Sequence, residues 1–344
     1  MAPDPKSNTD TNTSIQWQLV SRPKGEPTGE NVARVQVELP DLADGEVRVR
    51  NTYFSVDPYM RGRMNEGRSY VPPFALGETM QGAAVGEVVG SASDSLPVGA
   101  LVLHQHGWCD IAQGPAESFR AAPAIPGHSP SLYLSVLGVT GITAWVGLTE
   151  IAGIKEGDVV FVSGAAGGVG TMVGQIARLL GASRVVGSAG TPQKIEVLTS
   201  KYGYDAAFNY REGDIAAQLK SAAPDGIDLY FDNVGGEQLE AALRRFNDGG
   251  RTALCGAISE YNATDAGHGV RYTSNIVTRG LSLKGFTMPS YQHLAPQFAE
   301  VMRGWLAEDK IVYDETLYDG IGSAFDAFTG MMHGANIGKT LVRV

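Results

Sequence analysis

The chain has 344 residues, 43% of them hydrophobic and 19% charged, with a formal net charge of −10 at pH 7. That length exceeds what one hydrophobic core usually serves, so two domains are expected. The acidic balance argues against the basic face that nucleic-acid binding requires, which leaves a small molecule as the expected partner.

The opening MAPDPKSNTDTNTS has no apolar core of the signal-peptide kind, and residues 1–15 read as a disordered lead-in. No later run approaches the ~20 apolar residues of a membrane span, so a cytoplasmic protein with no membrane partner is expected. The two cysteines, Cys109 and Cys255, lie far apart and suit a reduced compartment.

From residue 16 to about 130 the chain is strand-like, with short apolar runs such as ARVQVELP, GEVRVRNTYFSV and AAVGEVVG broken by Gly, Pro and Asp. Residues 131–312 change character. Apolar runs such as GDVVFVSG, SRVVGSAG, YDAAFNY, GIDLYFDNVGG and GGRTALCGA alternate with helical patterns at 168–181, 192–202, 213–221 and 236–246. Strand alternating with helix predicts an α/β unit, a doubly wound parallel sheet covered on both faces. The closing 313–344, ending in the strand-like NIGKTLVRV, is expected to return to the first domain.

Within the second half, the strand at 158–163 runs into VSGAAGGVGTMVGQIARLLGA, whose glycines fall at Gly164, Gly167 and Gly170. This is a relative of the Rossmann dinucleotide fingerprint, with the first spacing one residue longer than usual. Glycines permit a tight turn and a close backbone approach to a pyrophosphate, and the helix N-terminus adds positive partial charge. A glycine triplet alone is compatible with tight strand–helix packing; its place in the first unit of an alternating series favours a nucleotide. After the next strand the chain reads VVGSAGTPQK, with no carboxylate before Glu196 and with Lys194 in reach. A missing acid and a nearby cation favour NADPH over NADH.

Dehydrogenases of this layout often carry zinc, but the β-rich half holds only Cys109 as a thiolate ligand. GETMQG at 77–82 puts Glu78 where those enzymes place a histidine. His104, His106, Cys109 and Asp110 form the one stretch to consider as a metal site, and no distant further ligand presents itself. No metal is expected. Reduction of a conjugated carbon–carbon double bond then suits the chain better than alcohol oxidation, because hydrogen bonds can meet the charge that develops on oxygen.

Six ordered motifs carry a resemblance: NTYFSVDPYMRGRM (51–64), GVTGITAWVGL (138–148), GAAGGVG (164–170), FDNVGGE (231–237), CGAISEYN (255–262) and NIGKT (336–340). The chain resembles the zinc-independent medium-chain dehydrogenase/reductases, in the branch of prostaglandin and leukotriene reductases, alkenal double-bond reductases and curcumin reductase. The resemblance implies a Rossmann NADPH-binding domain, a β-rich GroES-like catalytic domain and a homodimer. It places Gly167, Gly168, Val169 and Gly170 under the pyrophosphate, and Lys194 and Tyr210 at the adenosine 2′-phosphate. Asn233, Cys255, Gly256, Ala257, Ile258, Ser259, Tyr261, Phe286, Thr287, Met288 and Asn336 are the implied nicotinamide-side and ribose contacts.

Tyr261 is the implied catalytic residue, holding the substrate carbonyl as hydride reaches the β-carbon; a phenol with a reference pKa of about 10 is protonated at neutral pH and can donate that bond. Whether it also delivers the α-proton stays open. Tyr53 is expected to line the substrate pocket with it, and Asp57-Pro58-Tyr59 to shape a turn. The implied activity is NADPH-dependent reduction of α,β-unsaturated aldehydes or ketones. A quinone reductase, or a non-catalytic NADPH-binding protein, remains as an alternative. The stretch HQHGWCD at 104–110 has no counterpart in the resemblance.

Overall fold

The computed structural model describes residues 11–67, 69–265 and 269–344. The expected lead-in lies mostly outside them. Strand β1 (Thr13–Leu19) begins earlier than expected, because Thr13 pairs with Glu38 and Ser14 with Val37 of β2 (Val32–Glu38). There follow β3 (Glu46–Ser55), α1 (Tyr59–Arg63), β4 (Ala84–Ser91), β5 (Leu101–His104), β6 (Ile111–Pro115) and β7 (Arg120–Ala121). The expected turn at residues 57–59 is thus the entry to a short helix. Next come α2 (Val139–Val146), β8 (Val159–Val162), α3 (Gly168–Leu179), β9 (Arg184–Ala189), α4 (Pro192–Ser200) and β10 (Ala206–Asn209). They continue into α5 (Ile215–Ala222), β11 (Ile227–Asp232), α6 (Gly236–Arg245), β12 (Phe246–Leu254), α7 (Ser274–Thr278), β13 (Ser282–Gly285) and α8 (Ala295–Ala307). The chain closes with β14 (Glu315–Asp319), α9 (Ala324–Met332) and β15 (Lys339–Arg343).

Two compact units result: residues 1–134, 317–331 and 340–344 form one, and residues 135–316 and 332–339 the other. The first contains the sheet β14-β15-β3-β4-β5-β7, in which β15, β3, β4, β5 and β7 run antiparallel to their neighbours and β6 also pairs with β3. Its alternating inward residues, including Val47, Val49, Val88 and Val102, bury one core cluster. Trp108 is fully buried against Phe54 and Phe328.

In the second unit the strand order β10-β9-β8-β11-β12-β13 is parallel throughout. Phe161 stacks between Phe208 and Tyr230 at centroid distances of 5.8 and 4.9 Å. The order runs one way from β8 to β10 and the other way from β11 to β13. The C-terminal ends of β8 and β11 therefore flank the topological switch point, where doubly wound sheets bind ligands. Residues 332–339, which the sequence assigns to the β-rich half, belong to this unit: Gly338 N–H donates to the Ala166 carbonyl at 2.9 Å, and Gly338 bridges to Gly167.

The glycines of the first turn and its helix mostly serve the chain's own packing. A Cβ at Gly170 would stand 2.5 Å from the carbonyl oxygens of Gly164 and Ala165, and one at Gly168 would stand 3.0 Å from Thr140. At Gly174 it would fall on the ring of Tyr204, which is held because its hydroxyl donates to the Gly170 carbonyl at 2.7 Å. Only Gly167 has its open side free of everything but the Gly164 oxygen. Since Tyr204 is buried and bonded on its far side, Gly174→Ala is expected to lower unfolding free energy by about 1–3 kcal/mol, read from a urea denaturation midpoint.

Candidate active site

At the switch point the carboxylate of Asp232, 1% exposed, ends β11. Its Oδ1 accepts from Ser163 Oγ (3.1 Å), Tyr230 OH (2.7 Å), Val234 N–H (2.9 Å) and Gly235 N–H (2.8 Å). Four donors on one oxygen suit an ionised carboxylate, which is acceptor-only. Ser163 Oγ also accepts from Asn233 N–H at 3.0 Å, and Asn233 Nδ2 donates to the Ser163 carbonyl at 2.8 Å. These bonds tie the end of β11 to the end of β8. The other carboxylate oxygen, Oδ2, is buried without a hydrogen-bond partner. Burial raises the Asp232 pKa, and the donors on Oδ1 oppose that rise.

Asp232 lies at an open cleft of about 660 Å³ within the second unit. Of the residues singled out from sequence, Cys255, Gly256, Ala257, Tyr261, Phe286 and Thr287 line it. Asp232, Leu239 and Tyr291 are among the lining residues that sequence reasoning missed. Asn233 and Asn336 point elsewhere: the first is committed to Ser163 and the second donates to the Gly338 carbonyl at 2.8 Å. Ser259 Oγ donates to the Val234 carbonyl at 2.6 Å, and Met288 opens a 3₁₀ turn. Tyr53, on β3, belongs to the other unit.

The 3₁₀ turn at residues 258–260 carries Tyr261 back over Gly256, where a Cβ would stand 3.1 Å from the phenol oxygen. That oxygen accepts the Ala257 N–H at 3.4 Å, so its own proton is left to donate. Burial raises its pKa, the Ala257 hydrogen bond opposes the rise, and Cys255 and Asp232 add to it. The Cys255 thiol is pushed up to about 12, first by burial and then by Asp232.

The glycine turn opens α3 with Gly167 at the N-cap and no side chain capping it. Backbone N–H groups of the first helical turn are thus available to an anion. After β9, Thr191 caps α4 by accepting from Lys194 N–H at 3.3 Å. Lys194 Nζ donates to the Gly334 carbonyl at 2.7 Å, and burial, then Arg211, lowers its pKa. The Arg211 guanidinium lies 5.6 Å from the Tyr210 ring centroid. A Cβ at Gly190 would stand 3.1 Å from Tyr210 OH and 3.2 Å from Arg211 Nε, so glycine leaves room for both. Sequence reasoning found Lys194 and Tyr210 but missed Arg211, whose signal was a second cation directly after the FNY motif.

Comparison with known proteins places this architecture. Residues 15–121 match the family model described as the N-terminal domain of oxidoreductase, and residues 168–304 match the one described as zinc-binding dehydrogenase. The chain is 38% identical over 334 residues to the NADPH-dependent curcumin reductase of Escherichia coli, covering 96% of each chain. It is 40% identical over 319 residues to the NADP-dependent 2-alkenal reductase of Nicotiana tabacum, covering 90% of each. The crystal structure of CurA from Vibrio vulnificus in complex with NADPH superposes with a TM-score of 0.91 at 40% identity, covering 96% of this chain and 99% of that one. The chain belongs to the zinc-independent medium-chain reductases.

The zinc in one family description finds no ligand set here: among the described residues, no three His, Cys, Asp or Glu side chains are grouped to hold a metal ion. In the HQHGWCD stretch, His104 Nδ1 accepts the His106 N–H at 3.1 Å, and Cys109 Sγ donates to the His106 carbonyl at 3.2 Å. The two imidazoles stack at 5.8 Å and both rings meet Phe119. Burial, reinforced by His106, lowers the His104 pKa from 6.5 to about 3, and burial also lowers that of His106.

A folded-state value below the unfolded one means that the unfolded chain binds the extra proton. The resulting stability is present above pH 6.5 and is lost as the pH falls from there towards about 3. His104 alone should steepen the loss by up to about 1.4 kcal/mol per pH unit. Urea midpoints measured across this range should show a shallower pH slope for His104→Gln than for the parent.

Proposed function

We propose that this NADP-dependent reductase acts on the carbon–carbon double bond of α,β-unsaturated aldehydes and ketones, with NADPH as its cofactor. The observation that carries the reading is Tyr261: a phenol in a largely apolar cleft at the C-terminal edge of a parallel sheet, its oxygen already satisfied by Ala257 N–H and its proton free. Burial and the Asp232 charge keep that proton in place at neutral pH. Tyr261 therefore donates to the substrate carbonyl oxygen, and the bond strengthens as negative charge gathers there.

The residues fit the cofactor. Gly167 presents an open face at an uncapped helix N-terminus, where the backbone of Gly167, Gly168, Val169 and Gly170 would meet the pyrophosphate. Burial and then the Arg211 charge weigh against the Lys194 ammonium, and a 2′-phosphate, with Tyr210 beside it, would offset both. Cys255, Gly256, Ala257, Phe286 and Thr287 would hold the nicotinamide end, flanked by Ile258, Ser259 and Met288. When bound there, the cofactor supplies hydride to the substrate β-carbon.

Tyr261→Phe should lower kcat/KM for an open-chain enone by roughly 10²–10³-fold while leaving the Kd for NADPH nearly unchanged; unaltered turnover would remove Tyr261 from the reaction. Lys194→Ala and Arg211→Ala should each raise the KM for NADPH by roughly 10–100-fold and leave the KM for NADH almost unmoved. An equal effect on both nucleotides would contradict the phosphate assignment.

A further inference from the structure

The connection between α9 and β15 reaches the residues read above as nucleotide contacts at two places, both within the second unit. At one, Gly338 N–H donates to the Ala166 carbonyl at 2.9 Å and Gly338 bridges to Gly167, the N-cap of α3. At the other, the Gly334 carbonyl accepts from Lys194 Nζ at 2.7 Å. Between them Asn336 Nδ2 donates to the Gly338 carbonyl at 2.8 Å and braces the connection.

Gly334 offers Lys194 a neutral acceptor. One bond to a carbonyl fixes the direction of an ammonium without cancelling its charge, and further N–H donors remain for an anion. Burial, then the like charge of Arg211, weighs against that ammonium, and among the described residues no carboxylate pairs with it. Two observations account for glycine at this position. Its φ of 72° lies in the left-handed region. A Cβ there would stand 3.6 Å from Lys194 Nζ and meet nothing else within 4 Å. The side chain that residue 334 lacks would thus point at the ammonium, and its absence leaves that approach open.

We propose that Gly334 is a specificity-determining residue for the 2′-phosphate of the nucleotide. Its carbonyl aims Lys194, and its missing side chain leaves the phosphate room. The proposal rests on the reading of Lys194 as a 2′-phosphate contact and adds the α9–β15 connection to that site. A carboxylate at this position would pair with Lys194, cancel its charge and repel a phosphate. Discrimination between NADPH and NADH therefore depends on residue 334 as well as on the missing acid after β9.

Binding of NADPH and NADH to the full chain, followed by nicotinamide fluorescence with no substrate present, tests it. Asn and Asp are close in size and both enter the left-handed region. Gly334→Asn therefore reports the cost of a side chain and of backbone strain, and the difference between Gly334→Asn and Gly334→Asp reports charge. Gly334→Asp should bind NADPH at least about tenfold more weakly than Gly334→Asn, the scale of one opposing charge in a partly hydrated site. The two variants should bind NADH almost equally. Equal Kd values for NADPH in the two variants, or an equal loss with NADH, would overturn the proposal.

Lys194→Ala separates the proposal from the reading beneath it. NADPH binding weakened by Lys194→Ala, with the two Gly334 variants alike, would keep Lys194 at the phosphate and remove Gly334. NADPH binding weakened by Gly334→Asp alone, with Lys194→Ala unchanged, would keep residue 334 beside the phosphate and sink the Lys194 contact.

Discussion

The carboxylate of Asp232 is the constraint around which the second unit is arranged. A buried carboxylate demands donors, and each charge-assisted bond contributes about 1.5–3 kcal/mol. Here the donors come from the end of β8 through Ser163, from β11 itself through Tyr230, and from the turn that follows through Val234 and Gly235. Supplying two N–H groups from consecutive residues bends the backbone sharply, and Gly235 and Gly236 take the positive φ values of 75° and 50° that this bend requires. The Asp232 carbonyl meanwhile accepts from Cys255 and Gly256, which fixes the loop bearing Tyr261. One residue thus sets the gap between the switch-point strands, the entry to α6 and the seat of the phenol.

The same residue connects structure to chemistry. Its charge adds to the effect of burial on both titratable neighbours, Cys255 and Tyr261. Burial first, with Asp232 adding to it, holds Tyr261 as a phenol, the form able to donate, and Cys255 as a thiol, the form least able to attack an electrophile. The nucleotide side uses the opposite sign. Lys194 and Arg211 concentrate positive charge beyond the end of β9, and the N-terminus of α3 adds its own.

Much of this was legible in the sequence because parallel strands buried on both faces read as continuous apolar runs, and GDVVFVSG and GIDLYFDNVGG stand out from the helices around them. Helix α2 was not legible: VTGITAWV carries β-branched residues and a glycine, and only tertiary burial makes it helical. Residues 332–339 were misplaced because NIGKT reads as the start of the closing strand, whereas its glycine docks on the dinucleotide turn. Lys194 could be found from an absence, the missing acid after β9. Arg211 left only a weak trace, a cation directly after FNY, since its nearness to Lys194 depends on how the chain turns after β10. Asp232 was passed over because an acid that ends a strand before Asn and Gly looks like turn chemistry, and its unsatisfied oxygen exists only in three dimensions.

The most direct measurement is the fate of deuterium from NADPH labelled at the transferable C4 position, followed by NMR of the product from an open-chain enone. The account predicts a saturated ketone with deuterium on the former β-carbon. An allylic alcohol labelled on the carbinol carbon, or recovery of unlabelled enone, would contradict it.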